Sequence, residues 1–246
     1  MEEVLGTPKD RFMDMVRTAL GRSQGEPSVP YPPLQEDLAT LEKRTAEVLG
    51  RLAQKRGELV QELARVAALR GWLVHRAPGS EAVLEYVRKV VAEGSISRVV
   101  RSAEDVFQRV AVDGLLESMD VKVRVMAREC SDGEAFEAHD AELGITGVDY
   151  AIAETGTAVQ LPRRGLSRLV SLFPPVHLAV VRASEILESL DDLYLLRRLA
   201  YHQGQGDMGS YMCFITGPSR TADIEQTLVI GAHGPRETHM VILEEE

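Results

Sequence analysis

Trp72-Leu73-Val74-His75, Arg98-Val99-Val100-Arg101 and Val121-Lys122-Val123-Arg124-Val125-Met126-Ala127 are three short β-compatible runs, and what separates them decides the fold. Between the first two, Ser80 can cap a helix with Val83, Leu84, Val87, Val90 and Val91 on one side. Between the second and third, Ser102 followed by Asp105 resembles a capping box and opens a helix with Val106, Val110 and Leu115 inward. Strand, helix, strand, helix, strand is the signature of an open, mainly parallel sheet with helices on its faces, so the chain reads as an α/β protein.

Downstream, Arg128 to Glu142 is polar and acidic and reads as a helix. Gly144 to Leu161 alternates in β fashion and turns at Thr155-Gly156, a hairpin tip. Val176–Arg182 is another strand, Ser184 to about Tyr201 a helix interrupted near Asp191, and Gly204, Gly206 and Gly209 mark a polar loop. Tyr211–Thr216 is a strand leading into Gly217-Pro218, after which a helix is expected, and Thr238–Leu243 closes the sheet.

Upstream, residues 8–20 form a short helix, and Gly21 to Pro33 is a Pro/Gly-rich linker. Residues 34–70 are helical: Leu34, Leu38, Leu41, Thr45, Val48 and Leu52 recur at spacings of 4, 3, 4, 3 and 4. Glu47 and Arg51 are spaced as a helical ion pair. The register breaks at Lys55, between Gly50 and Gly57, which predicts a bend or two helices. This seam suits either a subunit contact or packing across its own domain. The expected division is a helix and linker over 1–33 and an α/β domain over 34–246.

Composition narrows the function. The 246 residues carry a net charge of −10, which repels phosphate backbones and argues against nucleic acid as a partner. No apolar run approaches the roughly 20 residues of a membrane helix. The acidic start Met1-Glu2-Glu3 has no basic n-region, so the expected location is the cytoplasm. Cys130 and Cys213 are the only cysteines, too few for a four-thiolate iron–sulfur cluster. The six histidines, His75, His139, His177, His202, His233 and His239, show no HExxH pair and no compact metal-ligand spacing.

Two segments carry chemistry-bearing residues. In Thr216-Gly217-Pro218-Ser219-Arg220-Thr221-Ala222-Asp223-Ile224-Glu225, hydroxyls and one arginine follow a strand at the expected helix N-terminus, an arrangement that attracts a carboxylate or phosphate. The alternative is a capped helix whose acids answer the dipole. In Gly147-Val148-Asp149-Tyr150-Ala151-Ile152-Ala153-Glu154-Thr155-Gly156-Thr157, an apolar strand delivers Glu154 to a Thr155-Gly156-Thr157 tip, where shielding can raise a carboxyl toward general-base range. The alternative is a solvated glutamate at a hairpin end. His177, after Pro174-Pro175, can line a cleft or sit in the core.

Residues 144–157 resemble the hallmark strand and hairpin of the LUD (lactate utilization) domain family. Leu172-Phe173-Pro174-Pro175-Val176-His177 resembles its Leu-Pro-Pro-x-His segment, with Phe173 as added bulk. Ile215 to Glu225, continuing through Gly231-Ala232-His233-Gly234-Pro235, resembles the closing signature of its protein C branch. The resemblance implies a fold like that of ribose-5-phosphate isomerase, CoA transferases and 5-formyltetrahydrofolate cyclo-ligase, with the helical arm added. It further implies a cluster-free subunit, without intrinsic cofactor, that supports oxidation of L-lactate to pyruvate with iron–sulfur partner proteins. The site expected from these motifs places Glu154 as acid/base or orienting group. Thr155, Gly156, Thr157, His177, Gly217, Ser219, Arg220, Thr221 and Asp223 would then hold a small anionic metabolite. Two other functions stay open: an independent isomerase, transferase or cyclo-ligase on a phosphorylated or CoA-linked metabolite, and a non-catalytic scaffold docking through residues 34–70.

Overall fold

The computed structural model describes residues 9–21, 36–126, 140–161, 168–204, 211–222 and 228–245. The chain divides into two compact units, Met1–Thr40 and Leu41–Glu246. In the first lies helix α1 (Lys9–Ala19), with an Arg17–Asp14 ion pair of 3.0 Å one turn apart. Asp37 accepts hydrogen bonds from the Thr40 amide and hydroxyl, each 2.9 Å, and these hold its carboxyl below the usual range. That is an N-cap for α2 (Leu38–Gln54).

The second unit is a layered α/β structure. The helical segment breaks where the sequence predicts: α2 ends at Gln54, Lys55 forms the junction, and α3 spans Arg56–Arg70. Six parallel strands follow: β1 (Leu73–Ala77), β2 (Arg98–Arg101), β3 (Lys122–Val125), β4 (Leu143–Thr146), β7 (Val176–Arg182) and β12 (Glu237–Leu243). Their spatial order is β1-β12-β7-β4-β2-β3. Beside them stands a four-stranded sheet ordered β8-β5-β6-β9, from β5 (Tyr150–Ile152), β6 (Thr157–Gln160), β8 (Ile186–Leu187) and β9 (Cys213–Ile215).

The central strands are buried on both faces, which is why Leu178–Val181 in β7 and Met240–Leu243 in β12 read as continuous apolar runs. Leu178, Val180, Val241 and Leu243 join one core with α4 (Ser80–Glu93), α5 (Val106–Arg109) and α6 (Val112–Ser118). Ala179, Val181, Met240 and Ile242 join the other with α3, Trp72 and the hairpin β5–β6. Leu52 is buried in this second core and Val48 packs against it, so this part of the seam packs across its own domain. Arg51 departs from the expected pair with Glu47. Its guanidinium lies 2.6 Å from buried Asp192, and Lys55 lies 3.0 Å from Glu188.

Several local expectations are revised. Gly79, not Ser80, occupies the N-cap of α4. The Ser102 hydroxyl bonds Glu104 instead of capping a helix, and the helix expected there is broken into α5 and α6. α7 is the short helix Leu169–Leu172 before β7. The helix expected from Ser184 begins only at Leu190: a 3₁₀ turn (Ala183–Glu185) and β8 come first, then α8 (Leu190–Gln203), capped by Ser189. Most importantly, residues 217–222 form no helix. Arg220–Ala222 is β10, paired antiparallel with β11 (Leu228–Ile230). The helix expected over 128–142 falls almost wholly outside the described residues, as do Cys130 and Asp223.

Candidate functional site

The two motif segments meet on the last turn of α3. That helix ends at Gly71 in the left-handed conformation (φ 99°), and Trp72 follows. The Trp72 indole N–H donates to the Gly156 carbonyl at 3.1 Å. Gly156 itself has φ +67°, and a Cβ there would lie 2.7 Å from the Ala67 backbone. On the other side, Gly217 has φ +112°, and its Cβ would lie 2.5 Å from the Arg70 carbonyl oxygen. Arg220 donates to that same oxygen at 3.3 Å, a cation at a helix C-terminus where unpaired carbonyls favour one. The Thr157 and Thr216 hydroxyls, 2.9 Å apart, stitch hairpin to turn.

The charged ends of the motifs serve different helices. Glu154 is exposed, and its carboxylate accepts from the Leu190 amide at 2.8 Å, at the N-terminus of α8. Thr155 donates to Thr157 at 2.8 Å. Ser219 holds the loop after β11: its carbonyl accepts from Gly231 N (2.9 Å) and its hydroxyl from His233 N (3.2 Å). Thr221 pairs with Val229 across the β10–β11 hairpin. Arg220 and Thr221 thus stand on a strand, where a helix N-terminus was expected.

His177 takes the core alternative. It is fully buried, its Nε2 lies 2.9 Å from the Thr146 hydroxyl, and its ring centroid lies 6.1 Å from that of Trp72. Burial pushes its pKa down to about 3, so it is neutral at pH 7.

A cluster that the sequence reading missed lies along the C-terminal edge of the parallel sheet. Connections from β2 run outward to β3, whereas those from β4 run the other way to β7, so the crevice between β2 and β4 is a topological switch point, where open α/β sheets bind ligands. Glu104, just past β2, bridges this crevice: it accepts from the Ser102 hydroxyl and from the Gly147 amide at the end of β4 (3.2 Å). Burial, reinforced by Asp149, raises its pKa. Asp149, past β4, accepts from the Leu161 amide at 2.7 Å. Glu185, past β7, binds the Arg182 amide (2.8 Å) and guanidinium, yet burial pushes it up to about 7. Asp149 and Glu185 share a cavity of about 310 Å³ with Arg56 and Tyr150. A carboxyl titrating near neutrality beside a second carboxylate is equipment for general acid–base chemistry. The one sequence signal for these residues is position, since each directly follows a strand.

Fold and edge together define a layered α/β protein with an all-parallel central sheet and acidic groups gathered at its C-terminal side. Within that class, the chain belongs to the LUD domain family, whose model matches residues 60–243. It is 32% identical over 162 residues to "Lactate utilization protein C" of Halalkalibacterium halodurans, covering 65% of this chain and 68% of the relative. The protein of the same name from Anoxybacillus flavithermus is 31% identical over 157 residues, 63% and 68% of the two chains. With that of Shouchella clausii the match is 34% over 110 residues, or 47% of the relative's length. Among solved structures, a DUF162 family protein from Deinococcus radiodurans has a similar fold, with TM-score 0.52 and 22% identity over 76% of this chain and 98% of that one. No helix among the described residues is long and apolar enough to cross a membrane.

Proposed function

We propose that this chain works in lactate utilization, as a cluster-free subunit supporting oxidation of L-lactate to pyruvate beside iron–sulfur partner proteins, in the cytoplasm. The observation that carries this reading is family membership over residues 60–243 together with relatives named for lactate utilization. With two cysteines, the electron-carrying clusters belong to the partners. A small anion at Arg220 is part of the proposal. The guanidinium is exposed and, among the described residues, bonds the Arg70 carbonyl at 3.3 Å through one nitrogen, which leaves its other donors for a carboxylate. The test is lactate-dependent electron transfer through the partner proteins, with and without this chain. Dependence on the chain and co-purification support the reading, while equal rates without co-purification overturn it.

A second reading, an independent acid–base enzyme, is favoured by the carboxyls at the C-terminal edge, Glu185 above all. A thermal-shift screen of phosphorylated and CoA-linked metabolites tests it, because a ligand bound only by the native state raises the melting temperature. The shift should disappear in Glu185→Gln. A shift retained in that variant removes Glu185 from the site.

A further inference from the structure

The opposite, N-terminal side of the parallel sheet holds a cleft of about 870 Å³, where Pro175 and Val176 of the Leu172–His177 segment form part of the rim. Its floor is built from β1 and β12, which are register neighbours, and its wall from α4. Tyr86, Lys89, Val90 and Glu93 stand at helical spacings of three, four and seven, so one stripe of α4 faces the cleft. His75 and His239 project from the adjacent strands beneath it.

Three of these side chains form a directed chain of hydrogen bonds. The His239 Nε2 lies 2.7 Å from the Glu237 carboxylate, and its Nδ1 lies 2.9 Å from the Tyr86 hydroxyl. A carboxylate only accepts, so Nε2 carries the proton, and the neutral imidazole then offers a lone pair at Nδ1. Tyr86 must therefore donate to His239. This is the carboxylate–imidazole–hydroxyl order of a hydrolytic triad, with a phenol in the terminal place. His75 stacks on the Tyr86 ring, with centroids 4.4 Å apart and planes 10° apart, and His239 meets the same ring edge-on at 5.8 Å. The phenol is thus fixed in position, and with its proton committed to His239 its oxygen is left to accept a hydrogen bond from the cleft. Lys89, one turn further along α4, brings a cation to the same wall; its ion pair with Glu93 is long (3.9 Å) and exposed, so a ligand carboxylate can compete for it.

We propose that this cleft binds a small hydroxy acid, whose hydroxyl donates to the Tyr86 oxygen and whose carboxylate pairs with Lys89. The choice of ligand class rests on the lactate reading, whereas the relay of Glu237, His239 and Tyr86 rests on geometry. Tyr86 acts as a binding group: it accepts the ligand's O–H while its own proton stays on the path to His239, and no bond to carbon changes.

The experiment is a titration of the full chain with L-lactate and, separately, with propionate, the same acid without the hydroxyl, followed by NMR of the His75 and His239 rings. L-lactate should shift both rings saturably and bind about five- to tenfold more tightly than propionate, the fold-change expected for one neutral hydrogen bond. Tyr86→Phe should bring the two acids to equal affinity, and Lys89→Ala, at an exposed position that leaves the fold intact, should weaken both. Equal affinities in the wild type, or no saturable shift of either ring with L-lactate, overturn the proposal. The outcome separates from that of the lactate reading. If electron transfer with the partners needs this chain but Tyr86→Phe changes neither binding nor rate, the site is wrong and the reading stands. If electron transfer ignores this chain while L-lactate still shifts His239, the reading is wrong and the site stands.

Discussion

Two buried groups at opposite ends of β7 should pull stability in opposite directions between pH 7 and pH 5. His177 is held neutral in the folded chain, with a pKa of about 3 against 6.5 when exposed. The folded pKa is depressed, so the folded state binds fewer protons than the unfolded state, and the associated stability is lost as pH falls below 6.5. Integrated from pH 7 to pH 5, this amounts to about 2 kcal/mol. Glu185 has the reverse sign: its folded pKa is raised from 4.5 to about 7, so its ionisation penalises the folded state and acidification over the same range restores about 2 kcal/mol. The contributions of these two groups should therefore nearly cancel. His177→Gln, which keeps an amide able to bond Thr146, removes the histidine contribution and should gain about 2 kcal/mol relative to wild type on going from pH 7 to pH 5. Glu185→Gln should lose about the same amount relative to wild type. Urea unfolding followed through Trp72, the single tryptophan, buried and beside His177, reads both. A His177→Gln profile parallel to wild type across this range would falsify the burial argument for His177.

Other substitutions probe the packing around α3 and α8. Gly156→Ala combines a positive φ with a Cβ 2.7 Å from the Ala67 backbone; it should cost more than about 2 kcal/mol, seen as a lowered urea midpoint. Arg51→Ala leaves the buried Asp192 carboxylate without its 2.6 Å partner; a loss of about 2 kcal/mol is expected, and Asp192→Asn in the same chain should recover part of it in a double-mutant cycle. Glu154→Ala removes the acceptor of the Leu190 amide; thermal unfolding should show a loss of about 1 kcal/mol, the size of an exposed helix cap. A larger loss would mean that Glu154 supports more than the start of α8.

The central sheet was legible because its strands are buried on both faces. Leu178–Val181 and Met240–Leu243 are apolar runs within β7 and β12 that no loop or amphipathic helix would carry, and Arg98–Arg101 is bounded as read. The break at Lys55 was legible from a lost register. Two segments misread for a different reason: their own residues do not specify a strand without the segment they pair with. Ile186–Leu187 is too short to be a strand by its own pattern and becomes one by pairing with Ala151–Ile152. Arg220–Ala222 lies among hydroxyls and acids that suit a helix start equally well; the deciding signal was the apolar run Leu228-Val229-Ile230, with two β-branched residues, opposite it. The carboxyls at the C-terminal edge were illegible for the same cause, since Glu104, Asp149 and Glu185 become neighbours only through the strand order β2-β4-β7.

That order also bears on what the family motifs are for. Gly156, Thr157, Thr216, Gly217 and Arg220 all bear on how hairpin and turn dock at α3, and two of them have no room for a side chain. A motif residue whose first task is docking will lower activity when replaced, whether or not it touches a ligand. Rate alone therefore cannot assign Arg220. If Arg220 only caps α3, Arg220→Ala should lower the urea midpoint modestly, and Arg220→Lys, which keeps a donor for the Arg70 carbonyl, should restore it together with activity. If Arg220 holds a carboxylate through its fork, Arg220→Lys should keep the midpoint and still lose affinity, because a point charge does not replace a bidentate partner. The lysine variant thus separates docking from binding: a restored midpoint with restored activity removes the anion from this site, and a restored midpoint without it places the anion there.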